Sequence, residues 1–221
     1  MARFILASQS PRRQELLSLC GYPFQVMAAN VDETIVDIAD PSENTIMTAQ
    51  LKAEAVANNL PKTDGDREIV IAADTIVVLE KHMLGKPADD EEAQSMLEAL
   101  RDREHKVYTG LALIDLRTGM EVTAVHAARV RMRSYTDQEI KRYIASGDPL
   151  DKAGAYAIQH PQFQPVALLD GCYLGVMGLS VCQLLDQLSG LNVPFLADMN
   201  VLHKSHHRFP CPLLAKLGPL A

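Results

Sequence analysis

Apolar and polar positions alternate along this chain in blocks that predict a mixture of strands and helices. Phe4-Ile5-Leu6-Ala7 is a short apolar run that reads as a buried strand, and Ser10-Pro11 after it is a helix entry, with Ser10 as N-cap and Pro11 at the first helical position. Leu16, Leu17 and Leu19 give that helix its apolar face and Gly21 ends it. Pro23 to Met27 predicts a second strand running on to Val31-Asp32-Glu33-Thr34. Asp40-Pro41-Ser42-Glu43 opens a helix to about Leu60, closed by Pro61, before a polar loop from Lys62 to Glu68. Ile69 to Leu79 is the most apolar run, read as a central strand interrupted at Asp74-Thr75. Asp89 caps a helix carrying Ala93, Met96, Leu97 and Leu100. Lys106 to Leu116 and Glu121 to Arg133 predict a hairpin turning at Arg117-Thr118-Gly119. Thr136 to Glu139 is a capping box for a helix to Ala145. Val166 to Leu169 and Tyr173 to Met177 read as two short strands, and Leu179 to Leu188 as the last helix. Beyond Gly190 the pattern decays among prolines 194, 210, 212 and 219, which predicts an irregular, disordered or loosely docked tail.

Two positions break the rules that organise these blocks. Arg12 and Arg13 fall in the first helical turn, where free N–H groups and the helix dipole favour anions. An anion seated at the helix start resolves the conflict, with Ser8 and Ser10 adding hydroxyls and the guanidiniums matching phosphate oxygens. Pairing of the arginines with a nearby acid is the plainer alternative. The second break is Asp74, a carboxylate inside an apolar run, costly to bury unless it is paired, hydrogen-bonded or metal-bound. Lys86, between Gly85 and Pro87, sits where the backbone turns sharply, and the glycine-punctuated stretch from Gly147 to Gln159 predicts a site-forming loop.

Composition narrows what such a site serves. The formal charge of −7 and few aromatics argue against a general nucleic-acid binder but not against an anionic small ligand. The sequence shows neither the apolar length of a membrane span nor a signal-peptide pattern, so the expected compartment is the cytoplasm. The four cysteines lack any C-x-x-C spacing, and Cys20 and Cys182 are expected as buried free thiols. His203, His206, His207 and Cys211 could be drawn as a metal cluster, yet their spacing matches no established zinc pattern. Arg129, Arg131 and Arg133 alternate along one strand and read as a solvated face. There is neither a P-loop nor a dinucleotide fingerprint. Cations for a polyphosphate, together with carboxylates for a divalent metal and for water, suit phosphoanhydride hydrolysis.

Leu6 to Leu17, Val31-Asp32-Glu33, Ala73-Asp74-Thr75, Gly85-Lys86-Pro87, Tyr108-Thr109-Gly110 and Asp151 to Gln159 together make the chain resemble the Maf family of septum-formation-inhibitor-like nucleotide pyrophosphatases, to about Gly190. The resemblance implies an α/β fold with a mixed central sheet flanked by helices and a substrate cleft, similar to inosine triphosphatases, over residues 1–190, followed by a tail over 191–221. It implies Mg²⁺- or Mn²⁺-dependent hydrolysis of nucleoside triphosphates between the α and β phosphates, and in many members a homodimer. Asp74 would be the proton acceptor, Glu33 and Asp74 the metal carboxylates, and Ser8, Arg13, Lys52 and Lys86 the phosphate ligands. Arg12, Thr75 and Gln159 match the branch acting on dTTP and UTP rather than the one acting on 7-methyl-GTP, which remains the alternative substrate. A rival of another class is a nucleotide-binding regulator of septum formation that does not turn over its ligand. The chain departs from the family at Ala72, where glycine is common, and at Ser180, where a proline usually starts the last helix.

Overall fold

A twelve-residue run with a single charged interior position can lie only where both of its faces are covered. In the computed structural model, which describes residues 2–60 and 67–218, that run is strand β3 (Glu68–Leu79), at the centre of a seven-stranded sheet. β1 (Arg3–Leu6) lies parallel to β3 on one side and to β2 (Phe24–Val26) on the other. The opposite edge of β3 pairs antiparallel with β5 (Glu104–Asp115), which pairs with β6 (Met120–Met132), and that in turn with β7 (Val166–Asp170). The sheet is therefore mixed. β4 (His82–Leu84) folds back onto the end of β3, pairing at Val77 to Leu79. Since β1 reaches only to Ile71, the edge of β3 between Ile71 and Val77 is left unpaired on that side, and a cleft opens there.

The two faces of the sheet are built differently. Helix α2 (Pro41–Ala57) packs Ala49, Ala53 and Val56 on Ile5, Ala7, Val70, Ala72, Ala112 and Ile114, a thin layer of small side chains. The other face carries α1 (Pro11–Ser18), α3 (Asp90–Leu100), α4 (Asp137–Ile144), α5 (Tyr173–Met177) and α6 (Val181–Gly190) over a leucine- and aromatic-rich core that includes Leu97, Leu111, Tyr135 and Leu184. Strand alternation sends Ile69, Ile71 and Ala73 to this larger core and Val70 and Ala72 to α2.

The predicted capping is found as drawn: the Ser10 side chain accepts from Arg13 N, and Thr136 and Glu139 form the reciprocal box of α4. Four expectations are corrected. β3 is continuous through Asp74 and Thr75, because Asp74 finds a charged partner on α2 and needs no break in the ladder. The second strand stops at Val26, and Glu33–Ile35 forms a 3₁₀ turn capped by Asp32. Tyr173–Met177 is a short helix, not a strand; Gly171, with φ +145°, turns the chain out of β7 immediately before it. Beyond Gly190 the described residues carry two short helices where an irregular tail is expected: α7 (Met199–Ser205) is capped by Asp198 and α8 (Pro212–Lys216) follows Cys211. Leu202 and Leu214 enter the large core, and the Tyr22 hydroxyl donates to the Pro194 carbonyl. Pro61, the part of the polar loop from Lys62 to Asp66, and Pro219 lie outside the described residues, while Glu68 already belongs to β3. Arg129 and Arg131 are exposed and pair with Asp170 and Asp102.

Candidate active site

Row alternation along β3 decides what the cleft contains. Asp74 continues the row of Val70 and Ala72 and therefore faces α2, where Lys52 projects toward it. Lys52 Nζ lies 2.7 Å from Asp74 Oδ1 and 3.0 Å from Glu33 Oε2, so two carboxylates from separate segments meet on one ammonium. Lys52 is buried and Asp74 half-buried, whereas Glu33 is exposed at the rim. Asp74 Oδ2 receives no hydrogen bond from the described residues. Thr75 points to the other face, its hydroxyl 3.2 Å from that of Thr109 and 3.5 Å from the Gly178 carbonyl.

The height of α2 over Asp74 depends on a residue with no side chain. Gly110 is the register partner of Asp74 on β5, and a Cβ built there would lie 2.3 Å from the carbonyl oxygen of Thr45. Backbone therefore rests on backbone at this point. Lys52, two turns further along the same helix, comes within reach of the strand as a result.

At the start of α1 both anomalous arginines are held. Arg13 donates through Nε to the Gly178 carbonyl at 3.0 Å and through Nη1 to the Ser8 hydroxyl at 3.4 Å. Burial pulls its guanidinium below the ordinary arginine value, while the Asp74 and Glu33 carboxylates pull it back up. It remains a cation, since arginine is protonated throughout the physiological range. Arg12 reaches across the cleft to Asp151, Nη1 to Oδ2 at 3.0 Å, so the alternative of pairing with an acid holds for this residue. Burial raises the Asp151 carboxyl, but hydrogen bonds and charge from Lys152 and Arg12 outweigh it and hold the group below the usual carboxylate range.

Ser8, Arg12, Arg13, Glu33, Lys52, Asp74, Thr75, Lys86 and Gln159 all line one cavity of about 690 Å³. Every residue that the resemblance implies as catalytic, metal-binding or substrate-binding is thus brought to one place. Among the described residues no third carboxylate, histidine or cysteine joins Glu33 and Asp74 to complete a protein cage for an ion. Two hard oxygen donors beside a cationic cleft suit a Mg²⁺- or Mn²⁺-sized ion whose remaining ligands are phosphate oxygens and water.

Sequence reasoning missed four contributors. Asp151 and Lys152 form the wall that holds Arg12, with Lys152 Nζ 2.6 Å from Asp151 Oδ1 and 2.9 Å from Asp148 Oδ1. Both lie in the loop whose turn and charge density marked it as site-forming. The Gly178 carbonyl, which accepts from Arg13, had no sequence signal, because any residue offers a carbonyl. His105 sits beneath the wall, its Nε2 2.8 Å from the hydroxyl of Tyr156, which lines the cleft. Burial pushes His105 down to about 4, so the ring is neutral near pH 7.

A model of the family described as Maf-like protein matches residues 3–191. The chain is 44% identical over 195 residues to the dTTP/UTP pyrophosphatase of Pelotomaculum thermopropionicum, covering 87% of this chain and 100% of that protein. It is 43% identical over 188 residues to the dTTP/UTP pyrophosphatase of Desulforamulus reducens, covering 85% of this chain and 96% of that one. Among solved structures, the Staphylococcus aureus Ham1 protein aligns with 74% of this chain and 90% of its own at 16% identity and a TM-score of 0.37, too slight a likeness to bear on the fold. Continuous agreement from β1 to the end of α6, at more than two-fifths identity, places the ancestry of the sequence: the chain belongs to the family of Maf-like proteins.

Proposed function

We propose that the chain hydrolyses nucleoside triphosphates, dTTP and UTP foremost, between the α and β phosphates to give the monophosphate and pyrophosphate. The observation that carries this reading is the convergence of Asp74 and Glu33 on Lys52 at the unpaired edge of β3, facing Arg13 and Ser8. Phosphoanhydride cleavage needs charge neutralisation over the phosphates and a positioned water, and this cleft carries groups for both. Ser8, Arg13, Lys52 and Lys86 bind the phosphate chain, and the start of α1 adds its free N–H groups. Asp74 takes the proton of the attacking water at Oδ2 while Lys52 orients the carboxylate through Oδ1. Glu33 and Asp74 would hold a divalent cation, Mg²⁺ or Mn²⁺, which supplies further charge neutralisation when bound. Arg12, held by Asp151, sits on the base-selecting wall with Thr75 and Gln159.

Incubation of the purified chain with dTTP, UTP and 7-methyl-GTP, with Mg²⁺, with Mn²⁺ or with chelator, tests all parts at once. The expected products are the monophosphate and pyrophosphate, formed only with metal. Nucleoside diphosphate and orthophosphate would overturn the cleavage position, and faster turnover of 7-methyl-GTP would overturn the base assignment. A triphosphate that raises the unfolding temperature yet survives intact with metal would replace the enzyme reading by one of nucleotide sensing.

A further inference from the structure

Away from the cleft, four side chains with no part in it converge inside the molecule. Cys172 precedes α5, Cys182 lies in the first turn of α6, His206 ends α7 and Cys211 precedes α8. All four are buried, and their sulfur and nitrogen ligand atoms lie within 4.8 Å of one another. His206 Nε2 is 3.4 Å from Cys182 Sγ and 3.6 Å from Cys172 Sγ, and the sulfurs of Cys182 and Cys211 are 3.9 Å apart. A tetrahedral zinc ion, with Zn–S near 2.3 Å and Zn–N near 2.0–2.1 Å, spaces its ligands about 3.8 Å sulfur to sulfur and about 3.6 Å sulfur to nitrogen. The observed spacings are close to these. They are also far from the roughly 2.05 Å of a disulfide.

The histidine is set for this task. Its Nδ1 lies 2.7 Å from the Leu202 carbonyl, a bond that places the ring proton on Nδ1 and turns the Nε2 lone pair toward the sulfurs. A backbone carbonyl fixing the tautomer in this way is the usual outer partner of a metal-binding imidazole. Three thiols and one imidazole, all enclosed, form a closed set of soft donors that favours zinc over magnesium or manganese.

We propose that Cys172, Cys182, His206 and Cys211 form a structural zinc site that fastens the segment after Gly190 to the family domain. Two ligands come from the domain and two from beyond it, with spacings of 9, 23 and 4 intervening residues. The clustering therefore has no compact sequence pattern, and a search confined to His203, His206, His207 and Cys211 finds none. Among those four, His203 and His207 are exposed and stand outside the cluster.

The test uses the full chain, produced in zinc-supplemented medium and passed over a chelating resin that strips loosely held Mg²⁺ and Mn²⁺. Elemental analysis is expected to find one zinc per chain. Exchange with Co²⁺ is expected to give intense visible d–d bands and near-ultraviolet thiolate charge transfer, which an oxygen-ligated ion in the cleft does not produce. Cys172→Ser and Cys211→Ser are expected to lose the zinc and the charge-transfer band, His203→Ala to keep both, and His206→Cys to keep zinc in an all-thiolate site. The proposal is overturned if folded wild-type chain binds no stoichiometric zinc and gives no thiolate–cobalt band. It is equally overturned if Cys182→Ser retains zinc as wild type does, or if mass analysis of alkylated protein finds Cys182 and Cys211 joined as a disulfide. Should the serine variants fail to fold, the wild-type cobalt spectrum and His206→Cys still decide it.

Discussion

The two faces of the central sheet solve opposite problems. On the α2 side the packing residues are mostly alanine and valine, with a glycine at the closest approach, and the layer is thin. On the other side leucines, tyrosines and phenylalanine fill a deep core. Depth on that side contributes stability in proportion to the apolar area removed from water. Thinness on the α2 side contributes little of that, but it lets a helix carry an ammonium to within 2.7 Å of a carboxylate on the strand below. Small residues here are positional devices, and the same substitution has different consequences on the two faces.

Asp74→Asn should give the largest effect, lowering kcat about 10³-fold, as expected on removing a general base. Its thermal unfolding by circular dichroism should stay close to wild type, separating chemistry from folding. Gly110→Ala and Leu97→Ala form the direct test of the two faces. Leu97 is fully buried in the large core, and its truncation should cost about 3 kcal/mol through lost contacts and a cavity. Gly110→Ala should cost a similar amount, about 3 kcal/mol, through overpacking against the Thr45 backbone. Only Gly110→Ala should also depress kcat/KM, because it lifts Lys52 from Asp74. Equal kinetics in the two variants, measured well below both unfolding temperatures, would remove the positional role of the thin face.

The deep face also holds a titrating group. His105 has a folded value of about 4 against an ordinary 6.5, so between these values the unfolded chain binds the proton and the folded chain does not. Its contribution is therefore complete above pH 6.5, falls as pH drops toward 4, and is constant below that. Over the whole interval the loss should amount to about 3 kcal/mol. Urea unfolding at pH 4.5 and 7 should reveal it, and His105→Gln should flatten this part of the acid limb. The smallest effect is expected at the rim: Arg12→Ala breaks a solvent-facing pair with Asp151 and should change unfolding free energy by less than about 1 kcal/mol. Its signature should be a raised KM for dTTP and UTP with kcat nearly unchanged.

How much of this was legible in the sequence follows the range of the interactions involved. The entry to α1 was readable because Ser10 and Pro11 act within one turn. The hairpin of β5 and β6 was readable because alternation and turn residues are local. Asp74 could be marked as an anomaly, but its partner Lys52 stands 22 residues away on a helix, so an interruption was expected where the strand runs straight through. Tyr173–Met177 is five residues of mostly apolar chain, too short for periodicity to separate helix from strand. The tail failed for the same reason on a larger scale. Its proline-broken text hides side chains whose partners, Cys172 and Cys182, lie in the domain itself.

Gly178 gives the last of these long-range links its reach. From a φ of +126°, it lends its carbonyl to Arg13 midway between Cys172 and Cys182. The stretch carrying it is thus slung like a hammock, tied at both ends to side chains beyond Gly190 and loaded in the middle by the guanidinium that looks onto the cleft. Cutting the chain after residue 190 would untie both ends. Residues remote from the cleft therefore help hold the carbonyl on which Arg13 rests.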